Sequence, residues 1–521
     1  MSSDRDLRLS RRRLLQAAGV AGAGVALPLA ASGCASSADA GAGGDPENVV
    51  LIVIDSLRPD FLGAYGAARM HTPNFDRLLA RGLRFNRAFP EALVTVPARR
   101  SIFTGQRIFP YRDFEPVADL GISPGWEPIG DVSKTMEAAL RDAGYRTYQV
   151  TDNPHTGFTQ SFKPFRESYD VFVPIKGRTG TLNDPGTVTD EEVARWLPEY
   201  LQGTERYTVG MKKNLANTGY GRDDSKSDAA RVFMRASDEL ADAARSGKRF
   251  ALVVDCFDPH EPWTAPPEFI DMYGDPAYEG PEIGTIAYGP AKDLSIEERR
   301  RLHAGYAASV TMTDKWLGTF LDRFDELGLG DNTAIVMLAD HGVLLGERGW
   351  LGKIPGELHP ELAQVPFAII HPDGRRAGES SDYFASTHDV APTILALLGI
   401  PEPEWMNGAD LSPLLAGQDP VEERPFHYGG MFNRYFARDD RWLLLGDTLG
   451  GNRKLYDLTL DPGEWHDVHD ASRANRRRAQ AMHDQLIEAT GGGKLPYYDQ
   501  DVLERKLERE RERTGFIDPT P

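Results

Sequence analysis

Apolar residues run unbroken through 49–54 and stop at Asp55. A strand covered on both faces gives such a run, whereas a half-exposed strand alternates. A second such run follows Arg249 in the stretch 249–254, ending at Asp255, and 333–338, apolar after Thr333, reads as a strand ending at Ala339-Asp340-His341. Residues 146–150 and 365–370 read as further strands, and 74–81, 133–143, 296–327 and 390–398 carry helical spacing. Ser133 is the expected cap of the second helix, with Glu137 near its first turn. Strands alternating with helices predict an α/β fold, a mostly parallel central sheet flanked by helices. Polar residues follow the C-terminal ends of three of these strands, the edge at which open α/β sheets bind ligands.

Two stretches depart from this rhythm. Residues 176–226 are rich in Gly, Thr, Asp and Asn and read as an insertion near the site. After Gly408 the pattern shortens: strands at 441–445 and 455–458 and a helix at 475–490 predict a smaller C-terminal α+β subdomain. The tail, 501–513, carries charge on every face and is expected on the surface. The expected layout is a main body over 47–408 and a subdomain plus tail over 409–521.

The N-terminus reads as an address. Arg11-Arg12-Arg13-Leu14-Leu15 precedes a stretch, 17–31, made only of Ala, Gly, Val, Leu and Pro. That is a signal peptide, too short and too rich in small residues for a membrane span. The arginines and leucines resemble a twin-arginine export signal, and Ala31-Ser32-Gly33-Cys34 a lipoprotein cleavage site. The expectation is a leader over 1–33, a lipid anchor at Cys34 as the sole membrane attachment, and a flexible tether over 34–46. The protein would then be exported, either held on the extracytoplasmic face of a bacterial membrane or secreted. Loss of the leader takes the formal charge from −19 to −22. An acidic chain of this kind is not expected to bind nucleic acid. Two cysteines in 521 residues exclude a disulfide framework and a multi-cysteine zinc site, leaving oxygen and imidazole as metal ligands.

Four short elements carry candidate chemistry. Asp55 ends the first strand; alone it is as readily a turn residue. Thr95-Val96-Pro97-Ala98-Arg99 sets a hydroxyl near a helix start, suited either to a nucleophile facing an anion or to an N-cap. Asp258-Pro259-His260-Glu261-Pro262 fixes His260 in an extended loop. Adjacent Asp340 and His341 suit a divalent cation, and Lys353, shortly after, can meet an anion as a point charge.

In order and flanks these elements resemble the sulfatase family of the alkaline-phosphatase superfamily. The run 48–60 with Tyr65-Gly66 and Thr72-Pro73-Asn74 is similar to that family's opening. Thr95-x-Pro97-x-Arg99 matches its nucleophile signature in spacing. Asp258-Pro259-His260, Asp340-His341-Gly342 with Lys353, and Asp389 to Thr393 also fit. Leu455-Tyr456-Asp457-Leu458 and Asp461-Pro462-Gly463-Glu464 resemble its C-terminal part. The resemblance implies that Asp55, Asp340 and His341 ligate one divalent cation, with Thr95 on it as nucleophile. It implies that Arg99 supports the nucleophile and the anion, that His260 contacts the ester or protonates the leaving group, and that Lys353 binds a non-bridging oxygen.

Three departures shape the expected chemistry. Sulfatases carry Cys or Ser at the nucleophile position, oxidised to formylglycine; Thr95 bears a methyl on the hydroxyl carbon and cannot yield that aldehyde. Direct attack by its oxygen remains, as in phosphodiesterase and phosphotransferase relatives. Asp152 stands where the family has a sulfate-binding lysine, with His155 one residue out of register. Ser56 stands where many relatives have a second ligating Asp. With fewer carboxylates than a typical calcium site, the set suits Mn, Zn or Fe as well as Ca, and one metal rather than two; His388 reads as structural. The expected function is hydrolysis or transfer of a sulfate, phosphate or phosphonate ester, phosphorus slightly favoured. The substrate is expected to be a small molecule or a glycan or lipid ester. The rival expectation is a non-catalytic relative that binds an anionic glycan or wall polymer.

Overall fold

The computed structural model describes residues 45–177, 180–219, 221–418 and 423–516. The leader, Cys34 and most of the tether lie outside the described residues. Eight strands form the main sheet: β1 (Asn48–Ile54), β2 (Leu83–Ala88), β3 (Arg146–Thr151), β4 (Val171–Pro174), β5 (Phe250–Cys256), β7 (Thr333–Ala339), β10 (Phe367–Ile370) and β11 (Ser380–Ala385). Their order is β11-β2-β10-β7-β1-β5-β3-β4. The run β7-β1-β5-β3-β4 is parallel, and β10 is antiparallel to both its neighbours. Every residue of β1, β5 and β7 is buried, as their continuous apolar composition requires.

Register is what positions the site. Ile54 of β1 lies level with Cys256 of β5 and Ala339 of β7. The C-terminal ends of three neighbouring strands are therefore flush, and Asp55 and Asp340 leave the sheet side by side. Chain pairing of this kind is strongly specified, because both faces of these strands are covered.

Several expectations change in detail. Strand β5 runs two residues past its expected end, and Asp255 lies inside it, because Arg99 and Thr151 satisfy its carboxylate there. The expected strand 365–370 begins at Phe367, since Pro366 has no N–H to give to the ladder. Thr135, not Ser133, caps the helix Met136–Asp142; Ser133 sits in a separate single turn, Val132–Lys134. The stretch 176–226 is partly helical, with Asp190–Ala194 and Glu205–Asn217, and has its own small core around Leu197, Met211 and Leu215.

A separate three-stranded antiparallel sheet consists of β6 (Gly289–Pro290), β9 (Trp350–Gly352) and β8 (Leu344–Leu345). An antiparallel sheet, β12 (His427–Met431), β13 (Arg434–Arg438), β14 (Trp442–Asp447) and β15 (Lys454–Asp457), packs on the helix Arg473–Ala489. Leu411 and Leu415, beyond residue 408, still belong to the main core. The tail helix Gln500–Thr514 is not charged all round: Leu503 is buried, and Lys506 pairs with Glu115. Among the described residues no helix is long and apolar enough to cross a membrane.

Candidate active site

The site grows out of the flush strand ends. Asp55 and Asp340 are wholly buried, and Ser56 ties them together. Its N–H donates to Asp340 Oδ1 (3.0 Å) and its hydroxyl to Asp55 Oδ1 (2.7 Å), while its carbonyl accepts from Tyr306 (2.7 Å). Ser56 holds φ 57°, a left-handed conformation that costs a non-glycine residue about 1–2 kcal/mol. In place of a second ligating carboxylate, the chain has a residue that aims the two it keeps.

Thr95 begins the helix Thr95–Thr104, which is buried along nearly its whole length. It is the first helical residue rather than the N-cap, which is Val94. Pro97 is tolerated because it lies in the first turn, where N–H groups lack helical partners. The Thr95 hydroxyl lies 3.2 Å from His341 Nε2. His341 Nδ1 lies 2.8 Å from the Gly342 carbonyl, so Nδ1 carries the proton and Nε2 presents its lone pair to Thr95. Burial, with Lys353 and Arg99 nearby, pushes His341 down to about 4 against the pull of Asp55, so the ring is neutral near pH 7.

Arg99, one helical turn after Thr95, lies inside the carboxylates. It donates to Asp255 (2.7 Å), to Asp340 Oδ2 (2.5 Å) and to the Thr95 carbonyl (3.3 Å), and Asp55 Oδ2 lies 3.1 Å away. These contacts raise its pKa further despite burial. The guanidinium is fully enclosed, and the contacts it makes are with the carboxylates and the backbone of Thr95.

A second group lies outward. His260 is stacked on Phe257 at 4.3 Å, and its Nδ1 is 2.8 Å from the Glu261 carbonyl. Lys353 Nζ donates to Glu261 Oε2 (3.0 Å) and to the Tyr288 hydroxyl (2.6 Å), and that hydroxyl donates to Glu261 Oε1. Although burial works against it, His260 and Lys353 hold the Glu261 carboxyl well below its ordinary range. His260 pulls the Asp55 carboxyl down and Lys353 pushes the His341 ring down, so the outer group lies within electrostatic reach of the inner one.

Sequence reasoning missed Asp255, Ser56, Glu261 and Tyr288. Asp255 and Glu261 stand in motifs that were read, but their partners are 156 and 92 residues away. Asp152, where the family has a lysine, accepts from the Phe257 N–H (2.7 Å). His155 lies edge-on to Trp126, and burial and Arg99 push it down to about 4, so it adds no charge. His388 lies 3.2 Å from Arg107 and outside the cluster.

A divalent cation suits these residues. Among the described residues, Asp55, Asp340 and His341 bring their donor atoms within 4.8 Å of one another. Asp55 Oδ2 is buried and makes no hydrogen bond among them. Burial and Asp340 push Asp55 upward. Three enclosed carboxylates, 55, 255 and 340, face one guanidinium and a neutral imidazole, a deficit of two positive charges. Uncompensated buried charge is costly, and a 2+ ion removes the deficit.

Comparison with known proteins gives the family of the chain. The sulfatase family model matches residues 47–400, and the model for the C-terminal region of N-sulphoglucosamine sulphohydrolase matches 346–491. The chain is 27% identical to the uncharacterized sulfatase YidJ of Escherichia coli (strain K12) over 85% of this chain and 86% of that one. It is 24% identical to an arylsulfatase of Clostridium perfringens (strain 13 / Type A), over 88% and 97%. The phosphonate monoester hydrolase of Agrobacterium radiobacter superposes with a TM-score of 0.64 at 20% identity, over 86% and 95%. The chain belongs to the sulfatase family of the alkaline-phosphatase superfamily.

Proposed function

We propose that this sulfatase-family chain is a metal-dependent hydrolase, or transferase, of sulfate, phosphate or phosphonate esters, with Thr95 as nucleophile and phosphorus esters favoured. The observation that carries the reading is the Thr95 hydroxyl, 3.2 Å from the lone pair of His341 Nε2, at the edge of the carboxylate cluster. Asp55, Asp340 and His341 would hold the cation, with Mn, Zn, Fe or Ca compatible with the donor set. When bound, the ion supplies Lewis-acid charge that lowers the pKa of a hydroxyl and stabilises developing negative charge.

The remaining work falls to the chain. Arg99 fixes the two ligating carboxylates and, through the Thr95 carbonyl, the first turn of the helix that carries the nucleophile. Lys353 would neutralise a non-bridging oxygen as charge builds on the ester. His260 is partly exposed, which suits proton donation to a leaving oxygen. Attack by Thr95 leaves a covalent ester on its oxygen, and water or another acceptor must cleave it. The absence of a formylglycine precursor supports phosphorus over sulfur, because the elimination route open to an aldehyde hydrate is closed to threonine.

The Arg-rich leader and Cys34 support export, with the enzyme tethered at a bacterial surface. Small-molecule, glycan and lipid esters all remain within the substrate class. Initial rates on aryl sulfate, aryl phosphate monoester and aryl phosphate diester, after stripping and reloading with Mn²⁺, Zn²⁺ and Ca²⁺, test the reading. A metal-dependent rate with the diester preferred is the expected result. A dominant sulfate rate removes the preference for phosphorus, and no rate on any ester contradicts the hydrolase.

A further inference from the structure

Lys353 is the cation proposed to meet the ester, yet its ammonium is engaged on both sides. Glu261 Oε2 accepts at 3.0 Å and the Tyr288 oxygen at 2.6 Å, and Lys353 is almost wholly buried. Glu261 is itself 11% exposed in its side chain, so water screens the pair weakly. The arrangement is built in. Pro259 and Pro262 bracket the loop that carries Glu261. The Tyr288 ring packs against Gly352, where a Cβ would stand 2.3 Å from a ring carbon. Gly352 also holds φ +84°, so both space and conformation demand glycine next to Lys353.

The charge count then has a consequence. With a divalent ion, Asp55, Asp255, Asp340 and Arg99 sum to zero, and Glu261 cancels Lys353. Glu261 Oε2 also lies 3.3 Å from His260 Nδ1, so its one negative charge is set against both basic groups proposed to face the ester.

We infer that Glu261 is a specificity-determining residue: by neutralising Lys353 it fits the site to singly charged esters and disfavours doubly charged phosphate monoesters. Sulfate monoesters, phosphodiesters and phosphonate monoesters each carry one negative charge, whereas a phosphate monoester carries two above its second pKa of about 6. Glu261 acts through Lys353 and is a positioning residue rather than a catalytic one. The inference rests on the proposed ester site and names the charge class it accepts.

The test is calorimetric binding of methyl phosphate and dimethyl phosphate to the metal-loaded full chain at pH 8, for wild type, Glu261→Gln and Glu261→Asp. Glu261→Gln keeps the shape and removes the charge. It is expected to raise the affinity for methyl phosphate relative to dimethyl phosphate by about tenfold or more, the effect of one like charge at close range. Glu261→Asp keeps the charge and is expected to retain the wild-type ratio, which a merely structural role would not separate from Glu261→Gln. An unchanged ratio in Glu261→Gln, the same shift in Glu261→Asp, or no binding of either anion overturns the inference. Turnover of phenyl phosphate and methyl phenyl phosphate is measured alongside. A shifted binding ratio without turnover in any variant would leave the charge role standing and contradict the hydrolase.

Discussion

The inner and outer charge groups of the site are built differently. Asp55, Arg99, Asp255, Asp340 and His341 are wholly buried and stand at the ends of β1, β5 and β7 or on the helix after Thr95. His260, Glu261, Lys353 and Tyr288 come from a proline-bracketed loop and a small edge sheet, and three of them reach solvent. The inner group is set by strand register, which the core enforces. The outer group is set by side-chain contacts across loops, which can change without disturbing the sheet. The fold thus fixes the reacting centre and leaves substrate charge to be tuned at the rim.

Substitutions that treat the two groups alike would break this contrast. Arg99→Met should have the largest effect on folding. It leaves Asp255 and Asp340 buried without their partner, a loss of about 3–5 kcal/mol. Chemical denaturation checks this, and a loss no larger than that of a rim substitution would show that the inner group is not fixed by its charges.

Glu137 sharpens the same point, as a buried carboxylate with a hydroxyl for company. Burial pushes it up to about 7, against the hydrogen bond donated by Tyr169. Folding therefore takes up a proton. The stability this confers is complete below about pH 4.5 and is lost as pH rises through about 7. Glu137→Gln should stabilise by about 1–3 kcal/mol at pH 8 and by little at pH 4, read from unfolding at the two pH values. Asp55, also pushed upward by burial, differs in having a place for a cation beside it.

Tyr288→Phe should be the smallest change. It removes the hydroxyl between Lys353 and Glu261 and should cost about 1 kcal/mol in kcat/KM while leaving the melting temperature near that of wild type. A large loss of stability instead would place Tyr288 with the inner group.

The sequence was informative in proportion to how local the physics is. Apolar runs revealed β1, β5 and β7, three of the five strands in the parallel run, and each ended at or beside a residue of the site. Strand β2, half-exposed and carrying Arg84, Asn86 and Arg87, gives no such run and was not foreseen. Asp255 was read as the residue closing a strand, since nothing near it in the chain announces Arg99 or Thr151. The positive φ of Ser56 is likewise invisible, because serine rarely adopts it and tertiary contacts impose it. Lys353 was legible as a cation, but its partnership with Glu261 and Tyr288 needs three distant segments folded together.

The central claim is that the Thr95 oxygen attacks the ester. The most direct measurement is the turnover of Thr95→Ala beside wild type on the preferred ester, with metal content determined for both by elemental analysis. The account predicts that the rate falls by about a thousandfold or more while the metal remains, since a covalent nucleophile has been removed. An unchanged rate with the metal retained would contradict it.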